Sequence, residues 1–155
     1  DTILSFSKTN FSREQLYELS FESGKYSRFK KDKKFSIRQF ENLYKKWIDN
    51  SLDINFANDI LVCVEENKII GFISYKIKNN EASIGLVAVL PNHQRKGIGK
   101  KLLQVVENEL IKNDIKVLNI PTQKENIEAC SFYEKLGYKI KQSIIIKHFW
   151  RNDSI

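Results

Sequence analysis

Behind Ser36, the residues Ile37, Phe40, Leu43, Tyr44, Trp47 and Ile48 recur at the spacing of one helix face. Ser36 followed by Gln39 is a capping-box pair, which marks the start of that helix. The pair Ser12 and Gln15 predicts an earlier helix, opening between Asn10 and Arg13 and running to about Ser20, with Gly24 as its breaker. Before it, Thr2 to Ser7 reads as a short strand with Ile3 and Leu4 apolar. Lys25 to Phe35, between the helices, keeps no clean period and is the most basic stretch.

From residue 60 the period shortens. Ile60 to Val64 and Ile69 to Ile77 are β-rich runs, with Glu66-Asn67 between them as a hairpin turn. Asn79-Asn80 is a second turn, and Ala82 to Leu90 a third strand, so these runs predict an antiparallel meander. Pro91 stops the pairing because it has no N–H to donate. Helical spacing returns from Gly97 to Asn113 through Ile98, Leu102, Val105, Val106 and Leu110. Ile115 to Ile120 is a strand closed by Pro121. Asn126 can cap a helix carrying Ala129, Cys130, Tyr133 and Leu136, with Gly137 as its C′ residue. Tyr138 to Trp150 reads as one long last strand centred on Ile144, Ile145 and Ile146. The order is β-α-α-β-β-β-α-β-α-β, an α+β arrangement with a mixed sheet. The strand–helix–strand unit from 82 to 120 is expected to be a right-handed parallel crossover.

Length and composition narrow this picture. A chain of 155 residues with 41% apolar and 29% charged residues fits one domain with its own core, and excludes a disordered chain. No run approaches the ~20 apolar residues of a membrane span, and no signal-peptide pattern opens the chain. Cys63 and Cys130 are too few for a disulfide framework and are expected to be reduced thiols in a cytoplasmic protein. The chain opens on Asp1 and holds no Met, so trimming at the N-terminus is expected. The net charge of +7 favours anionic partners, without choosing among nucleic acid, anionic lipid and a phosphorylated cofactor.

The most informative segment is Leu86 to Lys100, where a strand ends and the run Gln94-Arg95-Lys96-Gly97-Ile98-Gly99 opens a helix. The first N–H groups of a helix have no internal partner and lie at its positive end. Gly97 and Gly99 carry no Cβ, which lets a phosphate approach the backbone. Arg95, Lys96, Lys100 and Lys101 add positive charge beside it, and a pyrophosphate is the expected guest. The spacing is neither G-x-G-x-x-G nor G-x-x-x-x-G-K-[ST], which counts against dinucleotide and nucleoside-triphosphate loops.

Gln94 to Gly99 resembles the Q/R-x-x-G-x-G/A signature of the GNAT family of N-acetyltransferases, and Val87 to Pro91 resembles the strand before it. Asn126, Ala129, Tyr133 and Gly137 match the family's N-x-x-A-x-x-x-Y-x-x-x-G pattern. The resemblance covers nearly the whole chain. It implies the GNAT fold, a single mixed central sheet with helices on both faces, and acetyl-CoA as acetyl donor. It implies that Gln94, Arg95, Lys96, Gly97, Ile98, Gly99 and Lys100 hold the pyrophosphate. It implies that Val87 and Val89 pair with the pantetheine arm, and that the Val87 N–H also faces the thioester carbonyl as an oxyanion donor. Asn126 would contact the cofactor near the pantetheine, and Tyr133 would reach the sulfur.

Direct transfer needs a neutral amine, a polarised carbonyl and a protonated leaving thiolate. A thiol titrates near ~8.5 and a phenol near ~10, so Tyr133 is a fitting acid for the departing sulfur. Candidates for the general base are Glu65, Glu66 and His93, none singled out by spacing, and His148 has no evident partner. Two cysteines and two histidines at unrelated positions give no metal-ligand spacing.

For the acceptor, Ser27-Arg28-Phe29 followed by Phe40, Leu43-Tyr44, Trp47-Ile48 and Asn50 resembles the TDP-fucosamine acetyltransferases, as does Thr122-Gln123 before Asn126 and Ala129. That resemblance implies a nucleotide-linked 4-amino-4,6-dideoxy sugar as substrate, touched by Tyr26, Arg28, Phe29 and Tyr44. Arg28 offers a planar fork to a phosphate. Those enzymes carry an additional N-terminal segment, whereas this chain begins directly at its first strand. A shorter relative acting on another small amine, a peptide N-terminus or an antibiotic is the alternative within the family. Outside it, the basic, aromatic stretch from Lys25 to Phe35 suggests a nucleic-acid module, against which no helix-turn-helix, zinc-finger or RNP signature appears. Dimers are common in the family, and the edge of the last strand, Lys139 to Phe149, is the expected pairing surface.

Overall fold

Ser36 Oγ accepts from the Gln39 N–H at 3.1 Å while Gln39 Oε1 accepts from the Ser36 N–H at 2.8 Å, so the predicted capping box opens its helix. This computed structural model describes residues 2–23, 36–53, 59–123, 126–143 and 146–151. In chain order the elements are β1 (Thr2–Ser5), α1 (Arg13–Ser23), α2 (Ile37–Ser51), β2 (Asp59–Glu65), β3 (Lys68–Lys78) and β4 (Glu81–Val89). They continue as α3 (Ile98–Lys112), β5 (Leu118–Gln123), α4 (Ile127–Lys135), β6 (Tyr138–Ser143) and β7 (Ile146–Arg151). Short 3₁₀ turns occupy Phe6–Lys8 and Pro91–His93.

The sheet order is β1-β2-β3-β4-β5-β7-β6. Neighbours from β1 to β4 are antiparallel, β4 and β5 are parallel, and β5, β7 and β6 are antiparallel again. Both hairpin turns are the expected ones. Glu66 and Asn67 have φ of 50° and 59°, and Asn79 and Asn80 have 54° and 62°, the left-handed pairs that match the twist of two-residue hairpins.

Helices cover both faces, as the α+β reading expects. Leu16 and Leu19 of α1 and Phe40, Tyr44 and Ile48 of α2 pack on Ile60, Val62, Phe72, Leu86 and Ala88. Ile98, Leu102, Val106 and Leu110 of α3 and Tyr133 of α4 pack on Leu61, Cys63, Ile73, Ile84 and Ile120 from the other side.

Several local expectations are corrected. Gln15 does not close a capping box with Ser12. Its Oε1 accepts from the Ile69 N–H at 2.9 Å, beside a bulge in β3 where Cys63 and Val64 face Gly71 and Ile69. α1 runs to Ser23 instead of stopping near Ser20. On α2 the apolar stripe is only partly used, since Ile37 is 67% exposed and Trp47 39%.

Pro121 does not close β5, which begins at Leu118 and runs through to Gln123. Beyond Asn119 that strand has no partner on the β4 side, so its open edge tolerates a residue without an N–H. The long last strand is two strands, β6 and β7, paired antiparallel from Tyr138 opposite Arg151 to Ser143 opposite Lys147. β7 lies between β5 and β6, so among the described residues the edges of the sheet are β1 and β6, and the later part of the expected pairing surface, up to Phe149, is interior.

Candidate active site

Among the described residues β4 and β5 pair only where they begin. Ala82 and Ser83 pair with Leu118 and Asn119, and the Ala82 N–H donates to the Val117 carbonyl at 2.9 Å. From Ile84 onward the described residues of β5 no longer pair with β4, which leaves the edge of β4 turned from β3 as a cleft without ladder partners.

What β4 shows to this cleft follows from its register. In the β3–β4 ladder Ile73 faces Val87 but Tyr75 faces Ile84, so β4 carries one extra residue at Gly85-Leu86. The bulge switches the alternation. Ala82 and Ile84 lie on the α3 side before it, Val87 and Val89 lie there after it, and Leu86 and Ala88 face α1 and α2. The Leu90 N–H donates to the Ile70 carbonyl at 2.9 Å. Counting back, Ala88 is in a hydrogen-bonded pair with Phe72, while Val87 and Val89 are in non-hydrogen-bonded pairs. Their N–H and C=O groups therefore point away from β3, toward the cleft.

At the open end of the cleft stands the loop that begins α3. Gly97 is the N-cap with φ of 81°, no side chain caps the helix, and nothing lies within 4 Å of where a Cβ would stand. Arg95 is also left-handed, with φ of 64°. The amides of Ile98, Gly99 and Lys100 have no preceding helical carbonyl to donate to, which leaves an electropositive helix end facing open space. Gly99 serves differently from Gly97: its Cβ position faces Phe132 Cζ of α4 at 3.8 Å. The loop is held from three sides. Gln94 Nε2 donates to the Val89 carbonyl at 3.0 Å, so its side chain ties the loop to β4 and takes a carbonyl expected to serve the pantetheine. Arg95 Nη2 pairs with Glu128 Oε1 of α4 at 3.0 Å. At Gly71 a Cβ would stand 3.2 Å from both the Ala88 carbonyl and Ile98 Cγ2, so this glycine lets the first turn of α3 settle against the sheet.

Across the cleft, Asn126 Oδ1 accepts from the Ala129 N–H at 3.1 Å and caps α4. Tyr133 is 7% exposed, with Phe132 and Tyr138 edge-on at ring-centroid distances of 5.2 and 6.2 Å. It shares its apolar cluster with Val87, Val89 and Ile120. Burial, and then the neighbouring Cys130 thiol, push its phenol well above the usual range. The hydroxyl therefore keeps its proton at any physiological pH. Tyr138 in turn donates to Glu107 Oε2.

Among the base candidates, His93 Nε2 and Glu65 Oε2 stand 3.8 Å apart beside the loop, while Glu66 is an exposed turn residue. The His148 side chain lies outside the described residues. Tyr44, expected at the acceptor, is 3% exposed, and its ring packs on Phe40 and Trp47. That burial places its ring in the apolar cluster with Leu16, Leu19 and Phe40. Tyr26, Arg28 and Phe29 lie outside the described residues. Among the described residues no group of three His, Cys, Asp or Glu side chains could hold a metal, and no helix is long and apolar enough to cross a membrane.

The acetyltransferase (GNAT) family pattern matches residues 14–138, and the chain belongs to that family. Spore coat polysaccharide biosynthesis protein SpsD of Bacillus subtilis is 26% identical over 137 residues, covering 88% of this chain and 47% of that protein. The ribosomal protein bS18-alanine N-acetyltransferase of Escherichia coli is 31% identical over 74 residues, 48% of this chain and 50% of the enzyme. This chain spans about half the length of these curated relatives. Among solved structures, the PaiA N-acetyltransferase of Thermoplasma acidophilum in complex with coenzyme A has the same fold. Its TM-score is 0.77 at 24% identity, over 97% of this chain and 99% of that one.

Proposed function

We propose that this chain is an acetyl-CoA-dependent N-acetyltransferase that passes acetyl directly to a primary amine. The observation that carries the reading is the cleft itself. The Val87 and Val89 backbone groups turn into an opening that ends at the uncapped N-terminus of α3. An extended arm fits beside β4 as an added strand, with its pyrophosphate on the amides from Arg95 to Lys100. Acetyl-CoA would supply the activated acetyl group. The Val87 N–H then donates to the thioester carbonyl as negative charge develops on it. The amine nitrogen bonds to the acetyl carbon as the C–S bond breaks, the Tyr133 hydroxyl gives its proton to the departing thiolate, and the proton the amine sheds restores the phenol; burial keeps that proton in place until the thiolate forms and makes the phenol a weaker acid.

For the acceptor we propose the 4-amino group of a nucleotide-linked dideoxy sugar. The run Ser27-Arg28-Phe29, the excess of positive charge and a relative named for polysaccharide biosynthesis support it. A panel of amines with acetyl-CoA tests both levels, with the released thiol as readout. The panel holds a TDP-4-amino-dideoxy sugar, spermidine and a peptide with N-terminal alanine. Turnover of the amino sugar at least tenfold above the others is expected. Turnover of another amine alone removes the sugar, and no thiol release with any amine removes the transferase.

A further inference from the structure

The bulge that turns Val87 toward the cleft has to be held at one place. A strand that slips by one residue exchanges every outward group for an inward one. If the extra residue moved from Gly85-Leu86 to the next pair along, the Val87 N–H would swing toward β3. The ladder offers no backbone partner for the odd amide of a bulge, so something else has to fix it.

Ser74 stands opposite the bulge in the middle of β3, 2% exposed, and its Oγ accepts from the Leu86 N–H at 2.9 Å. The fit is close on the other side too. A Cβ at Gly85 would lie 2.6 Å from the same Oγ, so only glycine allows the hydroxyl to reach the amide. Ser74 and Gly85 thus form one device: the hydroxyl crosses the ladder through the space the missing side chain leaves.

We propose that Ser74 is a positioning residue that pins the β4 bulge and so aims the Val87 N–H at the acetyl carbonyl. This rests on the acetyl-CoA reading above. Ser74 touches no substrate; it acts through Leu86 on its neighbour Val87. Losing the clamp should therefore spare acetyl-CoA binding, which the α3 terminus carries, and weaken polarisation of the carbonyl.

Infrared spectra of carbonyl-labelled acetyl-CoA bound to the full chain test this without knowledge of the acceptor, beside calorimetric affinity for acetyl-CoA. In the wild type and in Ser74→Thr, which keeps the hydroxyl, the carbonyl band should lie below that of free acetyl-CoA. In Ser74→Ala, and in Ser74→Cys, which keeps the size with a much weaker acceptor, it should return at least halfway to the free position. Affinity should change by less than about threefold, and, with an amine from the panel that is turned over, kcat should fall by about tenfold with KM for acetyl-CoA unchanged, a part of the 10²–10³ that loss of a whole oxyanion donor costs. Wild-type bands in both the Ala and Cys variants overturn the clamp and leave the transferase standing. A wild type that does not bind acetyl-CoA overturns both.

Discussion

Gln94 Nε2 donates to the Val89 carbonyl at 3.0 Å, so the loop proposed to receive the pyrophosphate is tied to the strand it has just left. A neutral hydrogen bond of this kind is worth about 0.5–1.5 kcal/mol. Gln94→Ala is expected to weaken acetyl-CoA binding by about two- to tenfold on that scale, with kcat preserved, because the Val87 amide is fixed elsewhere. Calorimetry with acetyl-CoA and steady-state kinetics check this.

Gly97 and Gly137 form a matched pair for separating strain from function. Both have left-handed backbones, φ of 81° and 96°, with nothing within 4 Å of a built Cβ. An alanine at either site costs about 1–2 kcal/mol of stability from backbone strain. Urea midpoints should therefore drop alike in Gly97→Ala and Gly137→Ala. Only Gly97→Ala is expected to lose acetyl-CoA affinity, by tenfold or more on the order of one lost charge-assisted contact.

Removing the Tyr133 hydroxyl tests its proposed role as proton donor. Tyr133→Phe is expected to lower kcat by about 10²-fold, the lower range for general acid catalysis, with little change in affinity for acetyl-CoA. Because burial raises the phenol, the wild-type kcat should show no alkaline fall from this group below about pH 10. A kcat profile from pH 6 to 10 with both proteins decides the matter.

The same burial links stability to pH. The folded Tyr133 titrates above the unfolded phenol, so the folded state holds the proton longer. Its contribution is complete below about pH 10, the unfolded value, and is lost as pH rises toward the folded one. The urea midpoint should fall more steeply above about pH 10 in the wild type than in Tyr133→Phe, which has no proton to lose.

The Arg95–Glu128 pair joins the phosphate loop to α4, with side chains 86% and 72% exposed. Such exposed pairs contribute at most about 1 kcal/mol. Glu128→Gln releases the guanidinium toward the pyrophosphate. KM for acetyl-CoA should fall by up to about fivefold in dilute buffer, and the gain should vanish near about 0.5 M salt, where screening is short-ranged.

What was legible in the sequence was whatever is local. The strand–turn–helix from Leu86 to Lys100 and the Asn126 cap depend on neighbours in the chain, and both stand where the spacing put them. Ser12-Gln15 and Ser36-Gln39 show the limit of such patterns. The spacing is the same, but Gln15 is captured by a β3 amide that no local rule brings near. The last strand was misread because Ile144 to Ile146 carry no Gly or Pro between β6 and β7. The Ser74–Leu86 bond was hidden because its partners lie on two strands joined with an offset. One signal could have exposed the offset: the inward apolar positions move from Ala82 and Ile84 to Val87 and Val89 across Gly85. The acceptor residues Tyr26, Arg28 and Phe29 stay where the sequence reading left them, as expectations.

Ladder pairing between β4 and β5 at only two residue pairs divides the sheet. The sheet divides into two plates, β1 to β4 and β5-β7-β6, paired at one corner and backed by the same helices. A guest lying along β4 would act as a strut between the plates. Its binding energy would then appear as rigidity of the outer plate, whose local opening becomes rarer in proportion to ligand over Kd. Substrate supply would thus set the stiffness of the half of the fold that carries Tyr133.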